Sequence, residues 1–361
     1  MYGRRFFWNK YFHYICNFSY SVRMDNDLIY KLMLVRTAGI GPVRYNELVS
    51  KFGSPAAAAQ ALANADAIRD VVRREIDRAT AAGIQYISDD MPQYPHALRQ
   101  MKNHPPVLSV RGNVDTLAKN TVAIVGTRHA TAAGMNLVAE IACAFAAHGV
   151  AVVSGMAMGT DTAAHRGALR ADGAGQTIAV LAGGVDYIWP LENESLYWEI
   201  VERGAVVSEM PVGFVPIATN FVQRNRWIAG IGEKLIISEA DMNSGSMKTA
   251  RFAMGANREI WAVPSHPSDS RAFGPNSLIQ TGCAKLCNGV ADFFAQEKNN
   301  TKNKKNNISD NALLDALGTI PVSESVLAEI VKKSISEIKT DLVVMELQGL
   351  VRKVDGGYVR A

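Results

Sequence analysis

Cysteine is scarce in this sequence: Cys16, Cys143, Cys283 and Cys287 are the only four in 361 residues. Their spacing gives neither a CxxC metal pair nor the dense pattern of a disulfide-stapled fold, so a reduced cytoplasmic protein is the simple expectation. Cys143 falls within an apolar helical pattern and is read as a small buried hydrophobe. Long apolar runs are missing too: none reaches 18 residues, which argues against a transmembrane helix and a membrane role. Net charge is also small. A formal +4 does not mark a nucleic-acid binder, so any such reading depends on where the cations sit. What is plentiful is ordinary globular material, 48% hydrophobic and 20% charged, which excludes a disordered chain.

Residues 1–23 (MYGRRFFWNKYFHYICNFSYSVR) are aromatic and basic but lack the unbroken apolar centre of a secretory signal, and read as a disordered extension. Residues 24–90 read as a helical domain of the SAM or helix-hairpin-helix kind. Within it, Ala38-Gly39-Ile40-Gly41-Pro42 makes a tight turn with Pro at a first helical position. Such a turn meets phosphates in some proteins and serves as a protein adaptor in others. From 91 to 296 the pattern changes to alternating strands and helices, led in by Tyr94-Pro95 and Pro105-Pro106, which force extended chain. The polar stretch 297–307 reads as a solvated linker. Residues 308–361 read as three helices and a hairpin, a winged helix. From Asn311 to the end, six Lys/Arg against seven Asp/Glu suit a protein partner at least as well as duplex DNA.

The central domain carries apolar runs at 122–125, 150–153, 178–181, 205–207, 235–237 and 260–263. They are apolar on both faces, as strands of a parallel sheet covered by helices must be. Between the first two, Val138, Ile141 and Phe145 recur at helical spacing and Gly149 follows as a stop. The expected fold is a Rossmann-like, doubly wound, mostly parallel α/β sheet.

In such sheets ligands collect at the carboxyl ends of strands. There the sequence places Gly126-Thr127-Arg128, then Ser154-Gly155, and further on Arg224-Asn225-Arg226 and Ser244-Gly245-Ser246 with Lys248. A dinucleotide fingerprint needs three glycines at the first turn and only Gly126 is present, so the NAD reading weakens. Arg128 instead supplies a forked cation beside backbone amides, a phosphate site that requires no cofactor.

Read in order, Gly126-Thr127-Arg128, Ser154-Gly155-x-Ala157-x-Gly159-x-Asp161-x-x-Ala164-His165, Phe221-x-x-Arg224-Asn225-Arg226, Ser244-Gly245-Ser246 and Gly274-x-Asn276-x-Leu278-Ile279 resemble the signatures of the DNA-processing protein A (DprA, or Smf) family. The resemblance runs from about Asp27 to the end. It implies a non-enzymatic, cytoplasmic single-stranded DNA-binding protein of natural transformation, which shields incoming DNA and helps load the RecA recombinase. It also implies a homodimer formed through the Rossmann-like domain. Leu278 and Ile279, with Leu286 taken on the same helix, are the candidate interface, and their helical spacing suits plain core equally well. Two positions depart from the family's habit: Met158 stands where Arg is frequent, and Lys248 where an aliphatic residue is frequent.

The rival is a Rossmann-like phosphoribohydrolase, which needs a Glu in the helix opened by a late Gly-rich loop. Residues 245–251 contain no acid. Asp161 and His165, four apart, form the one candidate base and orienter, against their readings as cap and packing residue. Glu209 and Glu239 are expected to orient arginines through salt bridges.

Overall fold

A computed structural model describes residues 26–172, 176–294, 313–314, 316–318 and 321–360. The expected arm 1–23 and linker 297–307 lie outside them. The chain divides into two compact units, residues 1–290 and 291–361.

The first unit begins with four helices: α1 (Asn26–Val35), α2 (Pro42–Phe52), α3 (Pro55–Gln60) and α4 (Ala65–Ala81). Gly39 turns the chain at φ +80°, and Pro42 opens α2 where its missing N–H costs nothing. Ser54 caps α3 by accepting from Ala57 N at 3.1 Å. The helices bury Leu32, Met33, Tyr45, Val72 and Ile76 in one cluster with Val107 of the neighbouring sheet. Lys31 is pinned between Asp89 and Asp90, each at 2.8 Å, and Arg36 grips Glu75 at 3.0 Å while donating to Glu209 O at 3.1 Å. The helical module is thereby tied to the sheet by buried charge as well as apolar packing.

The sheet has nine strands: β1 (Ile84–Ser88), β2 (Val107–Gly112), β3 (Thr121–Val125), β4 (Ala151–Ser154), β5 (Thr177–Val180), β6 (Ala205–Ser208), β7 (Lys234–Ile237), β8 (Glu259–Ala262) and β9 (Lys285–Leu286). Their spatial order is β1-β2-β6-β5-β4-β3-β7-β8-β9. From β6 to β9 every pairing is parallel; β2 pairs antiparallel with β6, and β1 with β2. β1 lies inside the segment 24–90, so the last residues assigned to the helical domain contribute to the sheet instead. The strand order reverses at β3, where β4 departs to one side and β7 returns on the other, and the crevice outside its carboxyl end is the expected ligand position.

Helices α5 (His96–Arg99), α6 (Ala132–Ala147), α7 (Thr160–Leu169), α8 (Glu194–Arg203), α9 (Ala218–Ile231), α10 (Gly245–Gly255) and α11 (Phe273–Gln280) complete the unit. α6 buries Val138, Ile141 and Phe145, and Gly149 follows its end at φ +77°. Cys143 is half-buried, not buried as its pattern suggested, because it faces away from that stripe. Leu286 is also corrected: it lies on the edge strand β9, exposed, while α11 ends at Gln280.

The second unit holds α12 (Glu324–Val331), α13 (Ile335–Leu347) and the hairpin β10 (Val351–Val354) with β11 (Gly357–Arg360). Leu313, Leu317, Leu327, Ile338, Leu342, Met345, Val351 and Tyr358 form its core, and Gly356 and Gly357 turn the hairpin at positive φ. This is the winged helix.

Candidate functional site

The loop after β3 is closed by its neighbours. A Cβ on Gly126 would lie 2.4 Å from Thr160 Oγ1, so glycine is what lets the loop sit against the start of α7. Gly126 O accepts from Ser246 Oγ at 2.6 Å, Thr127 N donates to Glu239 O at 2.6 Å, and Thr127 O accepts from Thr160 N at 3.2 Å. Its polar backbone is therefore largely engaged. Arg128 is the exception: its side chain is exposed and its guanidinium lies 5.1 Å over the Trp189 ring. Trp189 in turn meets the edge of Phe221 at 4.6 Å between centroids. These two rings, with Gly155, Gly183, Tyr187 and Arg224, line a small hollow at the strand ends.

The other sequence-selected residues divide by burial. Ser154 is fully buried and donates to Ile124 O at 2.7 Å, a strand-to-strand tie. Arg224 is 6% exposed, and its Nη1 donates to Gly155 O and to Val180 O, the latter at 2.5 Å. A Cβ on Gly155 would fall 2.6 Å from that nitrogen. Burial lowers the Arg224 pKa to about 10, with Asp161 opposing and Arg128 adding to the fall. Asn225 donates to Gly245 O at 3.2 Å, and Arg226 is directed to Lys102 O at 2.8 Å while lying on Trp227. Ser244 caps α10 by accepting from Met247 N at 3.3 Å. Gly245 and Lys248 are exposed in the first turn, beside the positive end of the helix dipole.

The acids are occupied. Glu239 accepts from Thr131 N at 2.7 Å and from Thr131 Oγ1, and Thr131 caps α6 by accepting from Gly134 N at 3.0 Å. It was expected to orient an arginine; it holds a helix start instead. Glu209 lies near Arg226 and Arg36, whose charges pull its carboxyl down against the larger upward push of burial. Among the described residues, no ion pair joins Arg128 to either acid. Asp161 accepts from Ala157 N at 3.2 Å, and burial pushes its carboxyl up although Arg224 pulls it down. His165 does not pair with it. Thr177 Oγ1 donates its proton to Val152 O at 2.6 Å, so at 2.7 Å it accepts from His165 Nδ1–H, and burial lowers the imidazole pKa to about 3. No group of three His, Cys, Asp or Glu side chains is placed to hold a metal among the described residues.

Comparison with known proteins extends this geometry. The model of the DNA recombination-mediator protein A family matches residues 85–298. A DprA-like N-terminal HHH domain matches 25–82, and a DprA winged helix domain matches 307–357. Protein Smf of Synechocystis is 35% identical over 242 residues, 66% of this chain but only 55% of the Synechocystis protein's own length. The X-ray structure of DNA processing protein A from Streptococcus pneumoniae superposes with a TM-score of 0.62 and 32% identity, covering 75% of this chain and 98% of that one. The Helicobacter pylori DNA processing protein A, described for its single-stranded DNA binding mode, superposes at 0.54 with 29% identity, covering 60% and 97%. The chain belongs to the DNA recombination-mediator protein A family.

Within that family frame, the sequence motifs fall at one end of the sheet, but they are not equally open to a ligand. Arg128, Lys248 and Gly245 face outward, whereas Ser154, Gly155, Arg224 and Ser246 build the floor. Sequence reasoning missed Trp189, which is distant in the chain and follows a loop with no strand signal. Phe221 stands in the Phe221-x-x-Arg224-Asn225-Arg226 motif, in which only the polar residues suggest a ligand. An aromatic directly before Pro190, near a strand end, is the signal that would have found Trp189.

Proposed function

We propose that this protein binds single-stranded DNA at the β3 and β7 strand ends without turning it over. We propose also that, as a cytoplasmic homodimer in natural transformation, it shields incoming DNA and helps load the RecA recombinase. The observation that carries the reading is the exposed Arg128 guanidinium lying on Trp189, with Phe221 alongside: a cation for phosphate next to aromatic faces for bases. The proposed site also takes in Thr127, Asn225, Arg226, Ser244, Gly245 and Lys248, over a floor of Gly126, Ser154, Gly155, Arg224 and Ser246. The Helicobacter relative's single-strand binding supports the same ligand. Binding rather than chemistry is supported by the acids: Asp161 and Glu239 are committed to backbone amides and a cap, and α10 carries no acid for glycosidic cleavage.

Affinity for a short oligo-dT, measured against duplex and mononucleotide with base release assayed in parallel, tests the reading. Preference for the single strand with no base released is expected. Base release from a mononucleotide, or preference for duplex, overturns it. The RecA step is tested separately, as faster growth of RecA filaments on oligo-dT when the protein is added.

A further inference from the structure

Four exposed apolar side chains, Met158, Leu191, Val215 and Ile217, gather on one side of Arg128; Leu191 is 73% exposed and Ile217 65%. Backbone contacts bring them to the rim of the hollow. A Cβ on Gly159 would lie 2.5 Å from Arg128 O, so Met158 stands beside the Arg128 backbone. Asn193 donates to Met156 O at 2.8 Å and to Thr162 Oγ1 at 2.9 Å, which lays the segment carrying Trp189 and Leu191 along the same loop. Gly184 N donates to Phe214 O at 3.0 Å and Gly213 N to Asp186 Oδ1 at 2.8 Å. These bonds place Val215 and Ile217 on either side of Pro216, which lines the hollow with Trp189 and Phe221. Apolar surface left open beside a cation marks a contact surface.

Charge divides along the same line. Segments 183–196 and 208–217, which carry Leu191, Val215 and Ile217, hold the acids Asp186, Glu192, Glu194 and Glu209 and no Lys or Arg. Segments 126–131 and 243–251 hold Arg128, Lys248 and Arg251 and no acid. Of the two acids just before them, Glu239 holds Thr131 and Asp241 lies within reach of the Arg271 charge. A phosphate is attracted to the second side and repelled from the first, whereas an uncharged base is not repelled by the acids. We propose that Met158, Leu191, Val215 and Ile217 form, with Trp189, a shelf that covers the bases of a bound single strand while its phosphates run along the Arg128 and α10 side. This rests on the proposed function and adds the orientation of the strand. Aliphatic groups offer no hydrogen bond to a base edge, so the shelf takes any base. A base inside a duplex is paired and stacked and has no face to turn to it, so the shelf also sets the preference for single strands.

The test deletes bases and side chains in turn. Full-length wild type, Leu191→Ser and Ile217→Ser, each checked by thermal melt, are titrated with oligo-dT and with an abasic oligonucleotide of the same length, which keeps every phosphate and removes the bases. Wild type is expected to bind oligo-dT several-fold more tightly than the abasic strand. Each variant should lose several-fold on oligo-dT and nothing on the abasic strand, with the salt slope unchanged, as a contact between that side chain and a base requires. Equal losses on both strands, no loss on either, or equal binding of the two strands by wild type overturns the shelf and leaves single-strand binding standing. Failure of wild type to bind oligo-dT overturns both. If a variant fails to fold, photocross-linking of wild type to oligo-dT carrying 5-iodouracil reads the same contact. Links to peptides spanning 156–158, 187–191 or 214–217 are expected, and links confined to 243–255 overturn the proposal.

Discussion

Two arginines that look alike in sequence are set to opposite tasks. Arg128 is exposed and stacked on Trp189, so Arg128→Ala removes a charge-assisted grip on phosphate and little packing. Single-strand affinity should fall about ten- to a hundred-fold, the range of roughly 1.5 to 3 kcal/mol for a hydrogen bond to a charged group, with Tm almost unmoved. Arg224→Ala leaves Gly155 O, Val180 O and Asp161 without their buried cation. It should therefore unfold the protein at markedly lower temperature, by about 3 kcal/mol or more of stability. Denaturation and oligo-dT titration of both variants separate a ligand contact from a floor residue. If Arg128→Ala loses stability and keeps its affinity, the assignment is reversed.

Two histidines should show opposite pH dependence. The hydrogen bond that His104 Nε2–H donates to Asp89 Oδ2 raises the His104 pKa above its ordinary 6.5, against burial. Its stabilisation is full below 6.5 and is lost as pH rises through the raised value. His165 is held neutral, its pKa lowered to about 3 by burial. Between 6.5 and 3 the unfolded chain takes up a proton that the folded chain refuses. The stability His165 supplies is then present above 6.5 and lost as pH falls, by up to about 1.4 kcal/mol per unit. Urea melts should show His104→Gln differing most from wild type near pH 6 and least near pH 9. For His165→Gln, the gap to wild type should narrow as pH falls from 7 to 5. A gap that widens instead would mean that the buried imidazole is charged.

At the scale of elements, α11 separates two side chains that the sequence left equivalent. Leu278 is 5% exposed and belongs to the sheet's core cluster, whereas Ile279 only packs against that cluster. Leu278→Glu should therefore cost stability whatever the oligomeric state, since it buries a charge in place of apolar contacts. Ile279→Glu is the clean probe of the proposed homodimer: light scattering should report a dimer for wild type and a folded monomer for the variant, and an unchanged mass would remove α11 from the interface. The same contrast explains what the sequence made legible. The parallel strands announced themselves because both their faces are buried, as at Val152 and Val153 or Ile236 and Ile237. β1 and β2 did not, because Gln85 and Arg111 interrupt them and Pro105-Pro106 precedes β2, which together read as connector. Glycines and the Arg128 turn marked the candidate site from local chemistry alone. The burial of Arg224 and the capping role of Glu239 were not legible, because their partners, Gly155 and Thr131, are distant in the chain, 69 and 108 residues away.

For the whole molecule, a net charge of +4 gives little long-range attraction to DNA, so affinity must come from a few close phosphate contacts. Each contact releases bound counterions, and for single strands log K falls with log salt by about 0.7 per phosphate neutralised. A site offering Arg128, Lys248 and the amides at the start of α10 should engage roughly three to five phosphates, giving a slope of about −2 to −3.5. Because stacking on Trp189 and Phe221 involves no counterion, a salt-resistant remainder should persist at high ionic strength and vary little with base sequence. Arg128→Ala should flatten the slope by about 0.7, and Lys248→Ala by a similar step, whereas Trp189→Ala should lower affinity at every salt concentration with the slope unchanged. Titrations of oligo-dT at four or five salt concentrations measure all three. If Trp189→Ala changed the slope and Arg128→Ala did not, the cation would be supporting the ring and the strand would lie elsewhere.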